Sequence, residues 1–122
     1  MSIMIDWNEY HAQIQKTIAE IGRTSPDKDR GYRTIGDAGK RADLLGPKIR
    51  ELIALAVSVT VECDGCIAVH TDAALTAGAT EQEIIEALGV SVSVKAGSAL
   101  IFFTRVLDAV KAKMGQQFES TP

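Results

Sequence analysis

Leu52-Ile53-Ala54-Leu55-Ala56-Val57-Ser58-Val59 is the stretch on which the fold turns. Its β-branched end would suit a strand. Gly46-Pro47 just upstream is a helix-opening pair, however, and the neighbouring segments carry helical spacing, so it reads as a helix. That helix is apolar on every side, which predicts burial all round. In a chain of 122 residues, so much apolar surface points to a subunit interface as well as a core.

Working outward, the same period recurs. Trp7, Tyr10, Ile14, Ile18 and Ile21 predict a first helix from about Asp6 to Arg23. Ser25 as N-cap and Pro26 at the first helical position predict a second, to about Leu45. Gly31, Gly36 and Gly39 weaken that second helix, and Arg30, Arg33, Lys40 and Arg41 give it a solvated face. Downstream, a helix from Cys63 to about Ala77 ends at Gly78, and Thr80-Glu81-Gln82-Glu83 is a capping box that launches the next. A break or kink is expected around Lys95-Ala96-Gly97-Ser98. The final helix carries Ala99, Phe103, Val106, Leu107, Val110 and Met114 on one stripe, with Ile101 and Phe102 off it, placed to cover a neighbouring subunit. Residues from Gln116 to Pro122 are expected to fray. The reading is all-α, about six helices in a single domain over residues 1–122.

Composition bounds the function. Hydrophobic residues make up 46% and charged residues 24%, an ordinary globular balance, and aromatics only 5%, as suits closely packed helices. A chain of this size is expected to bury roughly two-thirds of its unfolded surface. The formal charge of -3 leaves no electrostatic footprint for nucleic acid, and no basic tract suggests an anionic membrane. Ile84 to Phe103 is strongly apolar but contains Glu86, Lys95, Gly89 and Gly97. It is expected to be a buried helix pair, not a membrane span. Met1 to Asp6 lacks a secretory pattern. The expected location is cytoplasmic, where a close cysteine pair is more often catalytic or metal-binding than a structural staple.

The chain's two cysteines stand in Cys63-Asp64-Gly65-Cys66-Ile67-Ala68-Val69-His70, with Glu51 twelve residues before Cys63. On a helix, 100° per residue brings Cys63, Cys66 and His70 within about 60° of one another. Only a thiolate attacks a peroxide or a disulfide. Three features here favour it: the first turn of a helix, His70 one turn past Cys66, and Glu51 to orient the other ring nitrogen. Peroxide would oxidise one sulfur to a sulfenic acid, the second thiol would condense with it, and an external dithiol would reduce the disulfide. That chemistry calls for no cofactor and no metal. The helix dipole favours Cys63 as attacking sulfur and His70 favours Cys66. The residues themselves leave the order of the two sulfurs open.

Glu51-x11-Cys63-x2-Cys66-x3-His70 resembles the signature of the alkylhydroperoxidase D branch of the carboxymuconolactone decarboxylase-like family. Ala77-Gly78-Ala79-Thr80 followed by Glu83-Ile84-Ile85-Glu86, and Gly97-Ser98-Ala99-Leu100 with Arg105-Val106-Leu107, are similar too. The likeness spans about 47–110. It implies an all-helical unit assembling as a homo-oligomer, trimer or hexamer. It also implies reduction of a hydroperoxide substrate by the cysteine pair, recharged by an external dithiol reductant, with Cys66 as the attacking sulfur. Members with peroxidase activity commonly carry a histidine immediately before the second cysteine, where this chain has Gly65. Decarboxylase members lack the cysteine pair, which argues against lactone decarboxylation.

Each piece has a plainer reading. Cys63, Cys66 and His70 are three zinc ligands that Glu51 or His11 would complete, although no second Cys or His pair follows. The thiols would otherwise be inert and buried, in a non-catalytic oligomeric module. His70 alone would be a core histidine, and Glu51 a first-turn dipole partner. His11 reads as a surface residue, Trp7 and Tyr10 as core or interface anchors. Asp64 reads as a helix-start carboxylate, which would raise a nearby thiol's pKa.

Overall fold

A computed structural model describes residues 4–119. Its helices are α1 (Trp7–Thr24), α2 (Pro26–Ala42), α3 (Gly46–Thr60), α4 (Asp64–Thr76) and α5 (Glu81–Glu119). The protein is all-α, with α3 packed against both α4 and α5, and α1 packed against α2 and α4.

Local chemistry sets the boundaries. Asp6 caps α1 by accepting the Glu9 N–H at 3.2 Å. Ser25 and Pro26 open α2, although the Ser25 hydroxyl makes no capping bond. Gly78, at φ +89°, follows the Ala77 C-cap, and the Gly78 and Ala79 N–H groups return to the Leu75 and Ala74 carbonyls, both at 3.0 Å. That left-handed position is one glycine occupies without penalty. The capping box forms as read: Thr80 N–H donates to Glu83 Oε1 at 2.9 Å and Glu83 N–H to Thr80 Oγ1 at 3.1 Å.

Among the described residues there are five helices, not about six, because α5 continues without interruption through Lys95 to Ser98 for 39 residues. Each interior glycine costs up to about 1 kcal/mol, less than surrendering the backbone hydrogen bonds around it, and no proline forces a break. The helix also carries the start of the expected frayed tail, through Glu119; residues 120–122 lie outside the described residues. At the other end of the chain, α2 stops at Ala42 rather than Leu45, as Asp43 turns left-handed at φ 43°.

The core is small. Leu55, Ala74 and Ala79 are buried together, with Leu52, Ile84 and Leu88 packed on them. Ser58 and Ser91 are buried too, Ser58 donating to the Ala54 carbonyl and Ser91 meeting the Thr60 hydroxyl at 3.2 Å. A folded 13.1 kDa monomer typically exposes about 6,400 Å²; this chain exposes 9818 Å². It buries about half of its unfolded surface instead of two-thirds.

Two expectations of burial fail for that reason. Leu52–Val59 is not enclosed: Leu55 and Ser58 face the core, while Ile49, Ile53, Val57 and Val61 form an exposed stripe at four-residue spacing. The apolar run beyond Ile84 is neither a pair nor buried. Within Glu81–Gly115, which is long and apolar enough to cross a membrane, only 6% of the most apolar window is buried. Both Ile101-Phe102 and the stripe through Phe103, Val106 and Val110 stand exposed.

Candidate active site

α3 ends at Thr60, and the chain must reverse within three residues to start α4. Glu62 takes a left-handed conformation at φ 56°, and Cys63 follows extended at φ -106°, ψ 102°. The Cys63 N–H donates to the Ser58 carbonyl at 3.0 Å, tying this turn to the buried end of α3. Lys95, from α5, donates to the Thr60 carbonyl at 3.4 Å and to Glu62 Oε1 at 3.1 Å. It thus caps the C-terminal end of α3, where a cation is favoured.

Cys63 is the N-cap of α4, and its sulfur accepts the Cys66 N–H at 3.2 Å. A helix N-terminus offers unpaired N–H groups and a partial positive charge, which favour a thiolate there. Cys63 and Cys66 are joined in a disulfide, with Cα atoms 5.2 Å apart.

One turn further, His70 Nδ1 meets Glu51 Oε2 at 2.7 Å. A carboxylate only accepts, so Nδ1–H is the donor, which leaves Nε2 as the nitrogen available for proton exchange. Both side chains are partly exposed. Among the described residues no hydrogen bond joins the His70 ring to either sulfur. A disulfide has no S–H to donate, so in this oxidised state any such bond awaits reduction.

The four residues form two pairs along α4: Cys63 and Cys66 joined at its start, and His70, one turn along, bound to Glu51 of α3. Oxidised sulfur, an oriented imidazole and a stabilising helix terminus are the parts needed for thiol-disulfide exchange with a proton relay.

Other singled-out residues fall elsewhere. A Cβ at Gly65 would lie 3.6 Å from Ile14 Cδ1, so α1 covers this position of the motif. His11 is half-buried rather than a surface residue and faces a hollow between α1 and α4, not the sulfurs. Trp7 and Tyr10 pack edge to face, ring centroids 6.1 Å apart, and neither is in the core. Asp64 is exposed in the first turn of α4. For zinc, no group of three or more His, Cys, Asp and Glu side chains is gathered among the described residues. Lys95 and Ser58 were not singled out from sequence as site residues. A lone lysine inside an apolar run was the available signal, since such a charge needs a polar partner.

The model of the carboxymuconolactone decarboxylase family matches residues 26–109. An uncharacterised protein of Haemophilus influenzae is 38% identical over 104 residues, covering 85% of this chain and 92% of its own length. Among solved structures, a carboxymuconolactone decarboxylase family protein from Legionella pneumophila superposes with a TM-score of 0.69 at 27% identity, over 87% of this chain and 95% of its own. A protein from Methanobacterium thermoautotrophicum gives 0.64 at 32% identity, over 69% and 94%.

Proposed function

Since this chain belongs to the carboxymuconolactone decarboxylase family, we propose that it is a thiol-dependent peroxidase of the alkylhydroperoxidase D-like branch. The observation that carries the reading is the 2.7 Å Glu51–His70 hydrogen bond one turn past a Cys63–Cys66 disulfide at a helix N-terminus. A relay with no sulfur chemistry to serve, or a disulfide with no relay, would support it far less.

In the reduced protein, His70 Nε2 takes the proton of the Cys66 thiol while Glu51 holds the imidazole. The Cys66 thiolate attacks the terminal oxygen of a hydroperoxide, the O–O bond breaks, and the departing alkoxide takes the proton from His70 to leave as an alcohol. The oxidised sulfur is now a sulfenic acid. Cys63 attacks it, hydroxide leaves and is protonated to water, and the disulfide closes. One thiolate of an external dithiol then attacks Cys66, expelling Cys63 as the thiolate that the α4 N-terminus stabilises, and the second thiol of the dithiol attacks that mixed disulfide, releasing Cys66 and leaving the carrier oxidised to a disulfide. The dipole and the histidine therefore serve different sulfurs at different steps.

The partners are a hydroperoxide, a dithiol carrier and further copies of this chain. The exposed surface exceeds that of a folded monomer by about 3,400 Å², more than one standard interface takes from a partner. The α3 stripe and the apolar length of α5 are the faces to be covered, in line with a trimer or hexamer. A cytoplasmic setting suits a pair that must be recharged by dithiols. Neither nucleic acid nor a membrane is invoked, and no cofactor.

A steady-state assay tests the activity: an organic hydroperoxide with a panel of dithiol donors, wild type against Cys66→Ser. Turnover in wild type lost in the variant is expected. Full retention in Cys66→Ser overturns the assignment. If wild type shows no turnover and its thiols titrate like free cysteine, the fold serves as an assembly module instead.

A further inference from the structure

The hollow between α1 and α4 has a volume of about 310 Å³, at the lower end of the range for small-molecule sites. Its apolar wall is made by Trp7 from α1 and by Ile67 and Leu75 from α4. Asn8, His11, Thr71 and Asp72 bring polar groups to the same space. Among the described residues, the side chains of these four make no hydrogen bond or ion pair. Asn8 and Asp72 are exposed and His11 and Thr71 half-buried, all four lining the same hollow as an indole, an isoleucine and a leucine.

This site is separate from the redox centre. On α4, Ile67, Thr71 and Leu75 lie about 40°, 80° and 120° around the helix from Cys63, and further round in the same sense from Cys66 and His70. The carboxylate lining the hollow is that of Asp72. No lysine or arginine lines it. α4 carries neither, and on α1 Lys16 and Arg23 lie beyond Ile14, away from Trp7 and His11.

The geometry points to a binding site for a small organic ammonium with an apolar, preferably aromatic, body. The ammonium would donate to the Asp72 carboxylate, a charge-assisted bond stronger than a neutral one. The body would lie against Trp7, which offers both apolar area and an attractive face for a cation. His11, Asn8 and Thr71 remain to bind a hydroxyl or amide on the same molecule. This assignment does not depend on the peroxidase reading.

Trp7 is the only tryptophan in the chain, so its fluorescence reports on this site alone. The experiment titrates the full-length, assembled protein at pH 8 with phenethylammonium chloride, exciting at the red edge where tyrosine is silent. 3-Phenylpropionate, similar in size and opposite in charge, serves as control. A saturable change with the ammonium is expected, and none with the anion. Asp72→Asn, an exposed position whose change leaves packing intact, should weaken binding about tenfold or more. Ile67→Trp, read by calorimetry because it adds a second indole, should block the hollow and abolish binding. An absent response in wild type overturns the site, as does an equal response to the anion or undiminished affinity in Asp72→Asn.

Discussion

His70 and Glu51 form a 2.7 Å hydrogen bond across the α3–α4 contact, fixing which ring nitrogen is free. Through Nδ1 the imidazole is bound to a carboxylate, so any proton it exchanges with a sulfur or a departing alkoxide passes through Nε2. His70→Phe should slow the reaction of reduced protein with hydroperoxide about 100-fold or more. Glu51→Gln keeps the shape and loses the charge, and should cost about ten- to a hundredfold. Stopped-flow measurement of the first turnover checks both. Unchanged rates would leave the pair a purely structural contact.

The division of labour between the sulfurs is separately testable. Cys63→Ser leaves no resolving thiol, so one equivalent of hydroperoxide should convert Cys66 to a sulfenic acid that a carbon nucleophile traps. Mass spectrometry locates the adduct. Cys66→Ser should give no adduct, and an adduct on Cys63 would reverse the order.

How far the sequence discloses this molecule depends on the range of the interactions. Ser25-Pro26, Gly46-Pro47, Gly78 and the Thr80–Glu83 box mark helix ends because capping is settled within a few residues. Cys63, Cys66 and His70 share a stripe by helical period alone, and Glu51 is found through spacing across a turn. Burial departs from expectation because apolar character alone does not say which face of a helix a neighbouring element covers. Ile53 and Val57 are apolar on a face that this single chain leaves open. The break expected near Gly97 does not occur, because glycine weakens a helix without breaking it. In sequence Lys95 only interrupts an apolar run, whereas its bonds to Thr60 and Glu62 join residues 33 to 35 apart.

Lys95 therefore invites a test of its own. Its contacts are exposed, and such pairs contribute about 1 kcal/mol or less. Lys95→Met should barely alter the melting temperature. It should loosen the left-handed turn at Glu62, seen as faster amide exchange at residues 61–63 than at the buried centre of α3. Uniform exchange across α3 and the turn would deny Lys95 a role in holding Cys63.

Glu83 links the capping box to a pH dependence. The hydrogen bond from Lys48, followed by that from the Thr80 N–H, holds its carboxyl below its ordinary value of 4.5. A carboxyl whose pKa is lower folded than unfolded contributes stability above the unfolded value, lost as pH falls through the folded one. Glu83→Gln keeps the box but not the charge. It should lower the melting temperature at pH 7 and match wild type near pH 3. A constant gap at both pH values would show that the charge does not matter.

The exposed apolar faces yield the last prediction. In the isolated chain Ile53 on α3 is 49% exposed and Phe103 on α5 is 56% exposed, so a charge at either position disturbs little within one copy. If other copies cover these faces, each charge must be buried without a partner, and association fails. Wild type should sediment at a multiple of 13.1 kDa, and Ile53→Glu and Phe103→Glu at a smaller multiple or as single chains. Loss of helix content on dissociation is expected over residues 101–115 of α5, all exposed in one copy. A wild type that sediments as a stable single chain would remove the assembly, and with it the explanation of why so small a core suffices.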